Sequence, residues 1–151
     1  MNSQKIFFSA VILALALSLG FSCQKSQMDK DREIIEQYIS DNNLDAVEYD
    51  VSGMFYVIDK PGGTSHPNGS SDVTVNYDGH LIDGTRFDQA DTINLNLGQV
   101  ITGWRYGIPL IGEGGSIKLL IPSAMGYGTQ KVGSIPENSV LIFDVDLILF
   151  N

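Results

Sequence analysis

The sequence predicts an α+β domain of five to six antiparallel strands with one short internal helix, preceded by a short N-terminal helix. Three observations predict it. Val73, Val75 and Tyr77 alternate with Thr74, Asn76 and Asp78, and Ile93, Leu95 and Leu97 alternate with Asn94 and Asn96. This two-residue period marks half-buried strands. Ser116–Ile121, after Gly114-Gly115, and Val140–Phe150 read as two further strands. After the N-terminal helix only Ile101–Ile108 could be a second one, and Gly107 and Pro109 keep it short.

The elements follow in order. Lys5 is the only charge in residues 1–22, and Ile6 to Phe21 is almost unbroken apolar sequence. A basic start, a short apolar stretch and small residues near Ser22 predict an export signal. The run is shorter than the ~20 residues that span a bilayer comfortably. Cys23, the only cysteine, ends it, and the chain turns polar at once in Gln24-Lys25-Ser26-Gln27. Its placement resembles the lipobox of bacterial lipoproteins, with departures at Gly20 and Phe21. The resemblance implies that Cys23 is lipidated and starts the mature protein; the alternative is a plain signal peptide followed by a free thiol.

Residues 29–43 are predicted helical. Asp29 and Asp31 can cap the N-terminus, Ile34, Ile35, Tyr38 and Ile39 form one stripe, and Asp41-Asn42-Asn43 ends it. Four turns are too few to be stable alone, so the helix is expected to dock on the domain that follows. The acidic stretch Ser26–Glu36 is expected to act as a solvated spacer. From Val47 the signals are β: Met54–Asp59, then a Pro- and Gly-rich loop, then Asp72–His80, with Asp83-Gly84 as the next turn.

Composition narrows the function. The chain has 151 residues, 9 Lys+Arg against 18 Asp+Glu, and a net charge of −9. Such a chain repels phosphate, which argues against nucleic acid as a partner. One cysteine and two histidines, His66 and His80, leave little for a zinc site or a hydrolytic triad. No nucleophile elbow, phosphate-binding loop or calcium-loop spacing is present. What stands out is a surplus of aromatic residues in the loop-rich half, Tyr77, Phe87, Trp104, Tyr106, Tyr127 and Phe143. Each alone reads as core. Trp104, between Gly103 and Gly107 on the short helix, could floor a pocket.

Four stretches in order resemble the FKBP-type peptidyl-prolyl cis-trans isomerase family. They are Val75-Asn-Tyr77-Asp-Gly79 through Asp83-Gly84-Thr-Arg-Phe87-Asp88; Leu97-Gly98-Gln-Val100-Ile101-Thr-Gly103-Trp104; Ile121-Pro122-Ser-Ala-Met-Gly126-Tyr127-Gly128; and Ile135-Pro136-Glu-Asn138 leading to Leu141-Ile-Phe143-Asp144-Val145. The position of Cys23 resembles that in exported lipoproteins of the same family. The resemblance implies a twisted sheet wrapped around the short helix, with residues 1–22 as signal, 23–45 as lipid-anchored spacer and helix, and 46–151 as the isomerase domain, its motifs over 70–151.

The resemblance also implies site roles. Tyr77, Phe87, Asp88 and Tyr127 would be catalytic. Val100, Ile101, Trp104, Ile135, Phe143 and Ile93 would bind substrate, with Trp104 under the proline ring. The Ile101 N–H and the Tyr127 hydroxyl would donate to substrate carbonyls, and Asp88 would sit at the rim. Proline-containing polypeptides are the implied partners, a lipid anchor the implied membrane contact, and macrolide immunosuppressants an implied ligand class. No metal or cofactor is expected, because the barrier is amide resonance of about 18–20 kcal/mol, and even a 10⁴-fold acceleration needs only about 5.5 kcal/mol. Ile93 falls where many members carry an aromatic, and the loop Thr129–Ser134 is short. The loop bears on macrolide affinity and on the residue preferred before proline, while Ile93 motivates a second expectation, a non-catalytic module that binds prolyl peptides or an envelope partner.

Overall fold

A computed structural model describes residues 25–50 and 52–151. The apolar leader and Cys23 lie outside the described residues. Helix α1 spans Gln27–Asp41 and is capped by Ser26. The Ser26 hydroxyl accepts from the Asp29 N–H, and the Asp29 carboxylate accepts from the Ser26 N–H at 3.1 Å. This reciprocal box starts the helix earlier than the sequence suggested, because Ser26 leaves both donors satisfied. Asp29 is therefore the third residue of the box. Asp31 is not a cap either, since it points into the protein and is 1% exposed.

α1 docks. Ile35 is fully buried against Phe55, Leu120, Val140 and Ile142, with Tyr38 and Ile39 packed at the edge. Ile34 stays on the outer side. Arg32 pairs with Glu48 and lies 5.6 Å over the Phe55 ring. The stretch expected as a solvated spacer is thus largely a helix seated on the sheet.

Among the described residues the six strands are β1 Val47–Tyr49, β2 Met54–Lys60, β3 Asp72–Leu81, β4 Arg86–Asn96, β5 Ser116–Ile121 and β6 Leu141–Phe150. They form one antiparallel sheet in the order β1-β2-β5-β6-β3-β4. One face of β5, and of β6 as far as Leu147, is buried; α1 covers the other face only at Leu120 and Ile142, and Lys118, Asp144 and Asp146 there stay at least partly exposed. Ile117, Leu119 and Ile121 of β5, with Leu141, Phe143, Val145 and Leu147 of β6, belong to the main core. Leu120 and Ile142 point the other way, toward α1.

Helix α2, Thr102–Gly107, covers the main-core face and runs into a 3₁₀ turn at Ile108–Leu110. It lies very close to β5. A Cβ on Gly103 would fall 2.6 Å from Ile121, and one on Gly107 would fall 2.5 Å from Leu119. Two glycines four apart share one helix face, so their bare backbone lets the helix settle on the strand. That approach sets the depth at which Trp104, on the same helix, is held. The fold class and the internal helix are as the sequence predicted.

Candidate active site

β3, β4, α2 and the β5–β6 connection meet around a cavity of about 260 Å³. β3 supplies Tyr77, β4 supplies Asp88 and Leu95, and β6 supplies Phe143. Gln99 and Val100 come from the turn before α2, Ile101 and Trp104 from α2 and its cap, and Tyr127 from the β5–β6 connection. The period-two alternation of β3 turns Tyr77 to the same side as Val73 and Val75. Opposite Val75–Tyr77, β4 carries an extra residue between Ile93 and Ala90, a bulge that bends β4 at this point.

Trp104 is 4% exposed and forms the floor. Tyr77 stands edge-on to it at 5.0 Å between centroids, and Phe143 does the same at 5.1 Å. Phe87 packs edge-on against Phe143 at 5.4 Å. Edge-to-face packing holds each ring by its neighbours, so the pocket wall is rigid before any ligand arrives. Gly79 makes room for the last pair, since a Cβ there would meet Phe143 at 2.7 Å and Phe87 at 2.8 Å.

The polar groups sit at the mouth. The Tyr77 hydroxyl donates to Asp88 Oδ2 at 2.7 Å, and the Gln89 N–H donates to Asp88 Oδ1 at 2.9 Å. Burial, and then the bond to Asp88, pushes the Tyr77 phenol up to about 12. Burial, and then the Asp88 charge, also raises Tyr127. Both phenols are therefore protonated donors at neutral pH. The Ile101 N–H meets no acceptor among the described residues, because Ile101 caps α2 and only its carbonyl is used, by Trp104 and Arg105. The Trp104 indole N–H is likewise buried without a partner among the described residues.

A larger cleft of about 480 Å³ opens elsewhere on the sheet, lined by Asp59, Asp78, Asp91, Asp144 and Asp146. Tyr77 is its one aromatic lining residue among those described, and Trp104 and Phe143 take no part in it. Asp78 is paired with Arg86 and Asp144 with Lys118. Among the described residues no cluster of His, Cys, Asp or Glu could hold a metal ion. His66 is in an exposed loop, its Nδ1 2.9 Å from the Pro109 carbonyl.

The structure brings together Tyr77, Asp88, Val100, Ile101, Trp104, Tyr127 and Phe143. Phe87 stands behind Phe143. Ile135 and Ile93 contribute to the main core and do not line the cavity. Leu95 and Gln99 do line it and were not singled out from sequence. The alternation that marks Leu95 as inward carries no hint that its inward face meets a cavity.

The model of the family described as FKBP-type peptidyl-prolyl cis-trans isomerase matches residues 63–148. The chain belongs to the FKBP-type peptidyl-prolyl cis-trans isomerase family. It is 45% identical over 102 residues to the FKBP-type isomerase FkpA of Buchnera aphidicola subsp. Schizaphis graminum, covering 64% of this chain and 40% of the relative. It is 36% identical over 139 residues to FkpA of Escherichia coli K12, covering 84% and 50%. The chain thus spans half or less of the length of these relatives. The crystal structure of Escherichia coli FkpA superposes with a TM-score of 0.72 at 35% identity, over 83% of this chain and 63% of that one. A peptidyl-prolyl isomerase from Pseudomonas syringae pv. tomato gives 0.73 at 27% identity, over 83% and 93%. Within this FKBP-type family match, the segment starts at residue 63, so α1, β1 and β2 lie outside it.

Proposed function

We propose that the protein is a peptidyl-prolyl cis-trans isomerase that accelerates X-Pro isomerisation in exported polypeptides. The observation that carries this reading is the Trp104-floored cavity with Tyr77, Asp88, Ile101 and Tyr127 around its mouth. An X-Pro bond isomerises unaided in tens to hundreds of seconds, held by amide resonance. The planar amide is more polar than the twisted one and places more negative charge on its oxygen. A dry aromatic cavity therefore disfavours the planar form, and the Asp88 carboxylate at the rim opposes the charge on that oxygen.

In this reading the proline ring rests on Trp104 between Tyr77 and Phe143. The Ile101 N–H and the Tyr127 hydroxyl hold substrate carbonyls on either side of the turning bond. The Tyr77–Asp88 bond fixes the carboxylate. Interactions that favour the twisted amide over the planar one lower the barrier, and no covalent step is needed.

The sequence supports export through residues 1–22 and attachment to the cell envelope by lipid on Cys23. No helix among the described residues is long and apolar enough to cross a membrane. Macrolide immunosuppressants would compete for the same cavity. A non-catalytic binding module on this fold drew its motive from Ile93. Since Ile93 lies off the cavity, that reading is left without an observation of its own.

The test is the cis-to-trans rate of an X-Pro tetrapeptide with and without the full chain in detergent. Acceleration proportional to protein concentration is expected. A flat rate from folded protein overturns the reading, and calorimetric binding of the peptide under those conditions would favour the binding module.

A further inference from the structure

We infer that Asp31 of α1 is a positioning residue for Tyr127, so that a helix outside the family-matched segment helps to set the active pocket. The catalytic consequence rests on the isomerase reading above. The structural link does not.

Ser123 roots the loop that carries Tyr127. Its carbonyl accepts from the N–H of Gly126 at 3.0 Å and of Gly128 at 2.8 Å, the two residues that flank Tyr127. The Gly128 carbonyl in turn accepts from the Asn138 N–H at 2.7 Å. Ser123 is held from behind by α1. Its N–H and its hydroxyl both donate to Asp31 Oδ2, at 2.8 and 2.6 Å. Asp31 Oδ1 accepts from Gln27 Nε2 at 2.7 Å. Asp31 is 1% exposed and Ser123 is 2% exposed.

This arrangement is costly for a helix that only needs to be docked. A buried carboxylate loses its hydration and requires several good donors in exchange. An apolar side chain at position 31 would continue the Ile35 stripe without that cost. What the carboxylate adds is direction. It takes both donors of one residue and fixes Ser123 in orientation, and the Ser123 carbonyl then fixes the backbone on each side of Tyr127. The Tyr127 ring is partly exposed, so its place depends on that backbone. Groups that touch substrate are sensitive to displacement on the ångström scale.

The test uses the full chain and the tetrapeptide assay. Asp31→Leu is expected to lower kcat/KM about tenfold. Asp31→Asn, which keeps an oxygen for Ser123 while Gln27 turns its amide, should recover most of that loss. In a Tyr127→Phe background Asp31→Leu should cost little more, because the two act through one group. Amide hydrogen exchange at Gly126 and Gly128 should quicken in Asp31→Leu, while Leu119 and Val145 in the sheet stay protected. If Asp31→Leu does not fold, Ser123→Ala removes the hydroxyl bond alone and should give smaller changes in the same directions.

An equal loss in both Tyr127 backgrounds, or unchanged exchange at Gly126 and Gly128, overturns the inference. A wild-type protein without isomerase activity would refute the functional reading instead, and the exchange measurement would still decide the link.

Discussion

The Tyr77 hydroxyl donates to Asp88 across the mouth of the pocket at 2.7 Å. Burial and this bond together hold the phenol proton up to about 12, against an ordinary value of 10.0. The folded protein therefore binds that proton more tightly than the unfolded chain does. Its contribution to stability is complete below pH 10 and is lost as the pH rises toward 12. The denaturant midpoint is expected to fall across that window. Tyr77→Phe should flatten the fall and remove a phenolate absorbance step near pH 12. An unchanged step in the variant would assign it to another tyrosine.

Trp104 is the only tryptophan, so its fluorescence reports on the pocket floor alone. A proline peptide that occupies the cavity should change its emission with a saturable dependence. Trp104→Phe keeps an aromatic floor but leaves a gap beneath the proline. It should fold and lose about tenfold in kcat/KM. Unchanged turnover in that folded variant would show that the floor does not contribute.

Gly103 and Gly107 set the spacing of α2 from β5. Gly103→Ala must push Ile121 or lift the helix, and is expected to cost roughly 1–3 kcal/mol in urea unfolding. Gly107→Ala against Leu119 should cost a similar amount. Because lifting α2 also lifts Trp104, activity should fall in both even at temperatures where they remain folded. An Ala at either site with wild-type stability would mean that the close approach is not needed.

Lipid on Cys23 is tested by metabolic labelling with a fatty acid. The wild-type chain should take up label and sediment with membranes. Cys23→Ser should do neither while retaining tetrapeptide activity. Label in the variant would place the modification elsewhere.

Much of this molecule was legible in sequence because its signals are local. The alternation along Val73–Asp78 gave a strand in the right place, and Gly107-Ile108-Pro109 bounded α2 within a residue or two. The seven predicted residues that line the cavity were implied by the family resemblance of the four motifs, since composition and periodicity alone read each aromatic among them as core. What escaped has a common physical origin. Ser26 competes with Asp29 and Asp31 for the cap, and local preference alone does not rank them. Leu95 looks the same from sequence whether it faces packed core or an empty cavity. Asp31 bonds to a serine 92 residues away, and nothing near either residue announces the other.

β6 lies between β5 and β3, yet it is the last in sequence of the six strands among the described residues. Before it exists, β1, β2 and β5 can form one sheet fragment and β3 with β4 another, but nothing joins them. Each fragment lacks the apolar cover that Leu141–Leu147 provides, and neither can complete the core. Folding of the domain therefore waits on β6: a ribosome-bound chain stays pliable until that strand emerges and closes the sheet from within.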